Sequence, residues 1–493
     1  MNRQKRRIIS ILLAMMLCVP VFSACSDTTV QENPADAPNA EAQSAENPEN
    51  AAAAEAEEEP DIYANLPAGD YGGGDFSMLQ YEETSAATST ICVEELNGEA
   101  VNDAIFTRTQ NVNERLNVNI VFTKTGLSDV NSIMSSSIVA GDDLHQVFWQ
   151  HSTNTVTNFL TKGYLMQLDG IQGFDFENPW WNKNAMESLK LNEKTYMAFG
   201  DINYYLFDFQ SIIICNMPMI TDYNMQDPYT LVDEGTWTID AFLGMVEGAA
   251  QDINGDGQLG TAEDVIGFTG FKTATELAFL HAADVSLFSR DADNKIVYDG
   301  VSEKYFEVLS RYSAVFGDKN YAEHNGDYLG RFRQGLTLFT GCSVGELSTM
   351  REVEFDYSVL PYPKYDEGQE GYISFITNQM QPMVIPITVQ DTARAGVVLE
   401  NLCGESHKVV RDKYFEVLLE SKYVRDQKAI DTLHMLYGSD GRFEIAHVYG
   451  WNQLENDVTA ALTGAADTFI SSMEKKEKAL VKVMDRTMQA LAE

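Results

Sequence analysis

The chain is short of positive charge: 34 Lys and Arg stand against 74 Asp and Glu in 493 residues, a formal net charge of -40. Taken as a whole, such a charge is repelled by nucleic acid and by anionic lipid surfaces, and acidity of this kind also serves solubility in secreted proteins. Cysteine is scarce as well. There are six, none in a CxxC spacing, so neither a zinc site nor a dithiol redox motif is suggested. Cys92, Cys215, Cys342 and Cys403 fall in apolar segments and read as buried thiols. The apolar run Ile8 to Val21, broken only by Ser10 and Pro20, is too short to span a bilayer comfortably and has the length of a signal-peptide core. No internal repeat is visible. Residues 26–60 hold no Lys or Arg and a single large apolar side chain, Val30, so they cannot bury enough surface to offset chain entropy and read as a disordered acidic linker.

What is present begins with the N-terminus. The cationic stretch Asn2 to Arg7, the apolar run and then Phe22-Ser23-Ala24-Cys25 form an export signal whose end resembles the lipobox of bacterial lipoproteins, with Phe in place of the usual Leu. That resemblance implies diacylglycerol on the Cys25 thiol and cleavage before it; two acyl chains hold a protein on a membrane where one does not. Aromatics at 11% and hydrophobics at 44% make the remainder globular, and its length suits two lobes.

From residue 61 on, short β-type runs alternate with helical stretches. Strands are expected at Phe76–Leu79, Thr90–Val93, Val118–Phe122, Gln146–Trp149, Ser211–Cys215, Leu336–Phe339 and Tyr357–Leu360. Helices are expected over 102–116, 130–139, 153–160, 238–249, 304–316 and 467–493, the last amphipathic through Phe469, Ile470, Met473, Leu480, Met484, Met488 and Leu491. The alternation predicts an α/β fold with a largely parallel sheet. Pro361-Tyr362-Pro363 stops any regular element and reads as a rigid crossing between lobes.

The order of segments resembles the extracellular solute-binding proteins of ABC importers, in the carbohydrate-type lineage related to maltose-binding protein. The resemblance is carried by Asn113-Glu114-Arg115-Leu116-Asn117-Val118, by Ala140-Gly141-Asp142-Asp143 followed by Gly163-Tyr164-Leu165-Met166-Gln167-Leu168-Asp169, by Thr236-Trp237-Thr238-Ile239-Asp240-Ala241-Phe242, and by Gly335–Phe339 with Leu360–Pro363 after it. It implies a two-lobed, periplasmic-binding-protein-like α/β fold with hinge-connected lobes and a cleft between them. The expected division is a signal peptide over 1–24, the lipidated cysteine and linker over 25–60, lobe 1 over 61–184 and 365–405, and lobe 2 over 185–364 and 406–493. It also implies a non-enzymatic, membrane-anchored monomer on the extracytoplasmic face that hands a sugar or other small solute to ABC permease subunits.

Three constellations bear on chemistry. Asp252-Ile253-Asn254-Gly255-Asp256-Gly257 with Glu263 at the twelfth place fits the calcium-loop pattern, with Asp252, Asn254, Asp256, Gln258 through its carbonyl, and Glu263 as ligands of a structural calcium; only a stub of helix is expected after it. Gly341-Cys342-Ser343-Val344-Gly345 matches G-x-S-x-G, with Asp391 or Asp412 and His407, His434 or His447 downstream, so a secreted serine hydrolase using Ser343 is the alternative function; no HGGG-like oxyanion segment precedes it. Sugar C–H faces pack on rings while hydroxyls need directed polar partners, so Trp149, Gln150, Trp181, Ser343, Tyr372 and Trp451, all near strand ends or turns, are the ligand-binding candidates.

Overall fold

The apolar runs fold into strands because each can bury both faces or one, and the helices between them supply the cover. The computed structural model describes residues 61–82, 90–271, 274–324, 327–377, 379–420, 426–437, 441–451 and 454–490. All of these belong to the unit Asp61–Glu493; the other unit, Met1–Pro60, lies outside the described residues, and with it the expected signal, Cys25 and the linker. In chain order the described strands are β1 (Gly74–Tyr81), β2 (Val118–Thr125), β3 (Val147–Trp149), β4 (Ser211–Asn216), β5 (Ile266–Gly270), β6 (Phe288–Arg290), β7 (Ile296–Tyr298), β8 (Ala322–Glu323), β9 (Thr337–Ser343), β10 (Tyr357–Leu360) and β11 (Met383–Val384).

They make two principal sheets. The first runs β11-β3-β1-β2, with β1 parallel to β2 and β3, and β11 antiparallel to β3. Parallel neighbours need a crossover, supplied by the helices Ala100–Leu116 and Leu127–Ala140. Both helices stop on a left-handed residue, Asn117 at φ 46° and Gly141 at φ 77°, residue types that tolerate this conformation. The second sheet runs β10-β4-β9-β5-β8: β5, β8 and β9 are parallel, while β4 runs against β9 and β10. Every residue of β4 is buried, its apolar run Ile212–Cys215 together with the polar ends Ser211 and Asn216. The pair β6-β7 is a separate antiparallel ribbon.

Phe242, on the helix Ile239–Ala249, sits at the centre of the second core, its ring 5.3 Å from Phe279 and Phe339 and 5.7 Å from Phe268. The helix rides so close to β5 that a Cβ on Gly267 would lie 2.0 Å from the Val246 carbonyl oxygen, so only glycine fits there. The terminal helix spans Ala466–Ala490 and buries Phe469, Met473, Leu480 and Met484 as its pattern predicts, whereas Ile470 is exposed and Leu491 lies outside the described residues.

Three expectations change. Thr90–Val93 is no strand: the Ile91 amide donates to Gln80 Oε1 (3.1 Å) and its carbonyl accepts from Arg108, so side chains satisfy a backbone that pairs with no sheet. The residues after the acidic loop form β5, not a helical stub, because Ile266–Gly270 is wholly buried between β8 and β9. Pro361–Pro363 does not cross between lobes. The Trp237 indole donates to the Pro361 carbonyl (2.9 Å) and Lys364 pairs with Thr238, which keeps this segment on the second sheet.

The crossings lie elsewhere. Ala198 bridges Met383 beside the first sheet, and the chain then runs through the 3-10 segment Asp201–Phe209 directly into β4. A second segment returns beside it: the Ser211 amide donates to the Phe375 carbonyl (2.8 Å) and the Thr377 amide to the Phe209 carbonyl (3.1 Å). A third joins through Ile376 N–H to Arg442 O (2.8 Å) and Arg442 N–H to Ser374 O (2.9 Å). The two sheets therefore form two lobes linked by three hydrogen-bonded segments.

Truncating the aromatic centre of the second lobe tests this packing. Phe242→Ala is expected to lower stability by about 3–5 kcal/mol, read as a fall in the urea midpoint with the slope unchanged.

Candidate functional site

In open α/β sheets ligands bind beyond the carboxyl ends of the parallel strands. In the second lobe β5 ends at Gly270, and the next residue, Phe271, is 52% exposed, an unusual state for a large apolar side chain. The Tyr328 ring lies 5.9 Å from it at 49°. The Tyr328 hydroxyl donates to Glu346 Oε1, while Glu346 Oε2 accepts from the Ser343 amide (2.8 Å) and hydroxyl (3.0 Å). Ser343 and Glu346 form a capping box for the 3-10 turn Val344–Met350, so β9 ends in a fixed polar corner. Burial, and next the Glu346 charge, push the Tyr328 hydroxyl well above its usual range, so it stays a donor. An exposed ring beside directed oxygens suits a ligand with both C–H faces and hydroxyls.

In the first lobe β3 runs into Gln150 and His151 before the helix Ser152–Asn158. The start of that helix touches the turn Ile445–Val448, where the Thr153 hydroxyl donates to the His447 carbonyl (3.1 Å). Burial lowers the His447 imidazole to about 4, with nearby Glu444 pulling upward and His151 pushing further down. His281 Nε2 meets Glu444 Oε2 at 3.1 Å, and its ring stacks on Phe375 (4.9 Å, 12°) at the crossing.

The serine hydrolase alternative finds no support. Ser343 has φ -97° and ψ 159°, an ordinary extended backbone in place of the strained turn of a nucleophile elbow. Its hydroxyl bonds Glu346; His407 bonds Asp201, His434 faces Phe415, and His447 is held too far below neutrality to act as a base near pH 7.

Of the six ligand-binding candidates, Ser343 is half-buried at a strand end, Trp181 borders the cavity at the crossing segments, and the others turn to interior partners. Trp149 is fully buried in β3. Gln150 is buried too, donating to Asn131 (3.1 Å) and accepting from the His151 amide (2.8 Å). Trp181 and its neighbour Trp180 donate to the two oxygens of Glu400 (3.0 and 2.9 Å), a carboxylate that burial pushes upward against four N–H donors. Trp451 stacks on Tyr449 (5.1 Å, 23°) and donates to Thr487 on the terminal helix (3.1 Å). The Tyr372 hydroxyl donates to the Val232 carbonyl (3.2 Å), away from the strand ends. The apolar body of each indole found more area inside than a loop position suggests. Phe271, Tyr328 and Glu346 were missed, although Phe271 directly follows an apolar run.

A cavity of about 430 Å³ lies at the crossing segments, lined by Asn182, Asp201, Asn203, Gln210, Arg411 and Phe415 among others. Burial raises the Asp201 carboxyl while His407 and Arg411 pull it back. Trp181, one of the predicted ligand-binding residues, also lines this cavity, and the Val344 amide that follows β9 donates to the carbonyl of its lining residue Gln210 (2.9 Å).

In the acidic loop Asp252 accepts from the amides of Gly255 (2.7 Å) and Gly257 (2.8 Å), Asn254 from Asp256 (2.8 Å), and Asp256 from Gln258 (2.8 Å). Asn254 donates to Glu263 (3.4 Å), and Gly257 adopts φ 81° at the sharp turn. The carboxylates are engaged by the loop's own amides; among the described residues no three His, Cys, Asp or Glu side chains are gathered to hold a metal.

No family model and no curated protein matches the chain. Solved structures do. A cyclo/maltodextrin-binding protein complexed with maltotetraose superposes with TM-score 0.56 at 12% identity, covering 84% of this chain and 97% of that one. The fold is that of the two-lobed solute-binding proteins of ABC transporters. A family 1 extracellular solute-binding protein from Bifidobacterium longum subsp. infantis gives TM-score 0.53 at 14% identity over 85% of this chain and 99% of its own. An ABC transporter solute-binding protein from Thermotoga lettingae bound with alpha-D-tagatose gives 0.51 at 13%, over 84% and 100%. The solute-binding fold thus accounts for nearly all of Asp61–Glu493.

His447 makes this site pH-sensitive. Its folded value of about 4 lies below the ordinary 6.5, so the unfolded chain takes up the proton first and stability, complete above pH 6.5, is lost as pH falls toward 4. The loss is about 3 kcal/mol. Denaturant titrations at pH 7 and pH 4 are expected to show that part of the drop in the wild type and its absence in His447→Gln.

Proposed function

We propose that the protein is an extracytoplasmic solute-binding lipoprotein that captures a sugar or oligosaccharide between its lobes and delivers it unchanged to an ABC permease. The observation that carries this reading is the solute-binding fold together with an exposed ring, Phe271, and a directed polar corner, Tyr328–Glu346–Ser343, at the strand ends of the second lobe. The bound ligands named for the solved relatives, maltotetraose and alpha-D-tagatose, favour a carbohydrate. The lipid anchor at Cys25 rests on the sequence of the export signal, and monomeric action on the hinge design. Among the described residues no helix is long and apolar enough to cross a membrane.

Thermal melting against a sugar library tests the function. A ligand that binds only the folded state stabilises by about 2.7 kcal/mol at a hundred times its Kd, and so raises Tm. Phe271→Ala is expected to weaken the ligand so found about tenfold, the worth of one ring contact, and to melt like the wild type without ligand because the side chain is exposed. Full affinity in that variant, or no stabilising sugar, would speak against the site.

Calcium at 252–263 is the finer part of the proposal, supported by the ligand pattern and by the Gly257 turn. Binding would draw Asp252, Asp256 and Glu263 onto one ion. Adding a chelator is expected to lower Tm without abolishing sugar capture, and an unchanged melt would remove the metal.

A further inference from the structure

The terminal helix Ala466–Ala490 carries a charge arrangement that its packing does not explain. Its buried face is Phe469, Met473, Leu480, Met484 and Thr487. At 3.6 residues per turn, Lys475, Lys478, Lys482 and Arg486 fall within an arc of about 80° on the opposite side, spread over about 16 Å of axis. All four are exposed, and none makes an ion pair or hydrogen bond with another described residue. Lys476, turned off this arc, pairs with Asp457 at 2.5 Å. Glu474 and Asp485 lie on one flank and leave the stripe itself uniformly positive. Lys478, Lys482 and Arg486 follow one another at i,i+4, a spacing at which like charges destabilise a helix. Glu474, four residues before Lys478, and Asp485, three after Lys482, offset part of this repulsion, yet the exposed arc keeps four cations in a chain of net charge -40.

We propose that this stripe is a docking face for an anionic phospholipid surface, which turns the terminal helix toward the membrane. The proposal rests on the anchor at Cys25. A membrane-moored body meets headgroups at high effective concentration, so four cations suffice where a free protein would need a larger patch. The acidic remainder is repelled by the same surface, which makes the attraction directional. An acidic protein partner would use the same charges; the bilayer is favoured because the anchor already holds the chain beside it.

The test is lysine labelling of the lipidated full chain with an amine-reactive ester, read by mass spectrometry on vesicles of phosphatidylglycerol and of phosphatidylcholine. On phosphatidylglycerol, Lys475, Lys478 and Lys482 are expected to react about threefold or more slowly than on phosphatidylcholine, a contrast that molar salt abolishes. Lys295 and Lys428, exposed elsewhere, are expected to react equally on both. The double variant Lys478→Glu, Lys482→Glu is expected to lose the protection of Lys475 while floating with the vesicles like the wild type. Equal labelling of the stripe on both vesicle types in a protein that floats overturns the docking face alone, as does protection that appears only with an added acidic protein. A chain that floats with neither vesicle overturns the anchor and the docking face together.

Discussion

The three crossing segments are the constraint on which the rest of the structure depends. Backbone hydrogen bonds tie Phe209 and Ser211 to Phe375 and Thr377, and Ile376 to Arg442 and Ser374. Two lobes joined by one strand would drift independently, whereas three segments bonded side by side leave a bending motion as the soft one. A ligand with better contacts in the closed arrangement then shifts the population toward it. The strand-end groups gain their meaning from that motion: Phe271, Tyr328 and Ser343 belong to one lobe, His151 to the other.

The polar interior of the first lobe is tied down by a buried carboxylate. Glu400 gathers the amides and indoles of Asp175, Asn178, Trp180 and Trp181, so a buried charge is met by four donors from one loop. In the second lobe the cluster of rings around Phe242 takes in a buried pair, His324 with Glu276 (2.9 Å), against Phe268 and Phe316. If the lobes close as in the proposed function, such cores favour rigid-body rotation, with little ordering of side chains to oppose binding.

Much of the fold was legible because periodicity reports burial. The apolar stripe of 466–490, the buried run Ile212–Cys215 of β4 and the helix ends at Asn117 and Gly141 follow from residue type and spacing alone. What failed was whatever depends on a distant partner. Trp451 reads as a cleft aromatic until Thr487, far away in sequence, supplies its hydrogen-bond acceptor. Pro361 read as a crossing because its captor, the Trp237 indole, lies more than a hundred residues earlier. β5 was hidden by the acidic loop before it, whose pattern suggested a helix; Gly267 beneath Val246 was the missed clue that a strand and a helix meet there. Of the candidate residues Ser343 at the strand end and Trp181 at the cavity were legible, whereas exposure of one ring after a buried strand cannot be read from a run of apolar letters.

Small-angle X-ray scattering with and without the stabilising sugar measures the central claim most directly. The account predicts a smaller radius of gyration on binding, from two rigid lobes rotating about the 209–211, 374–377 and 442 junction. A scattering curve identical in both states, at full occupancy, would contradict it.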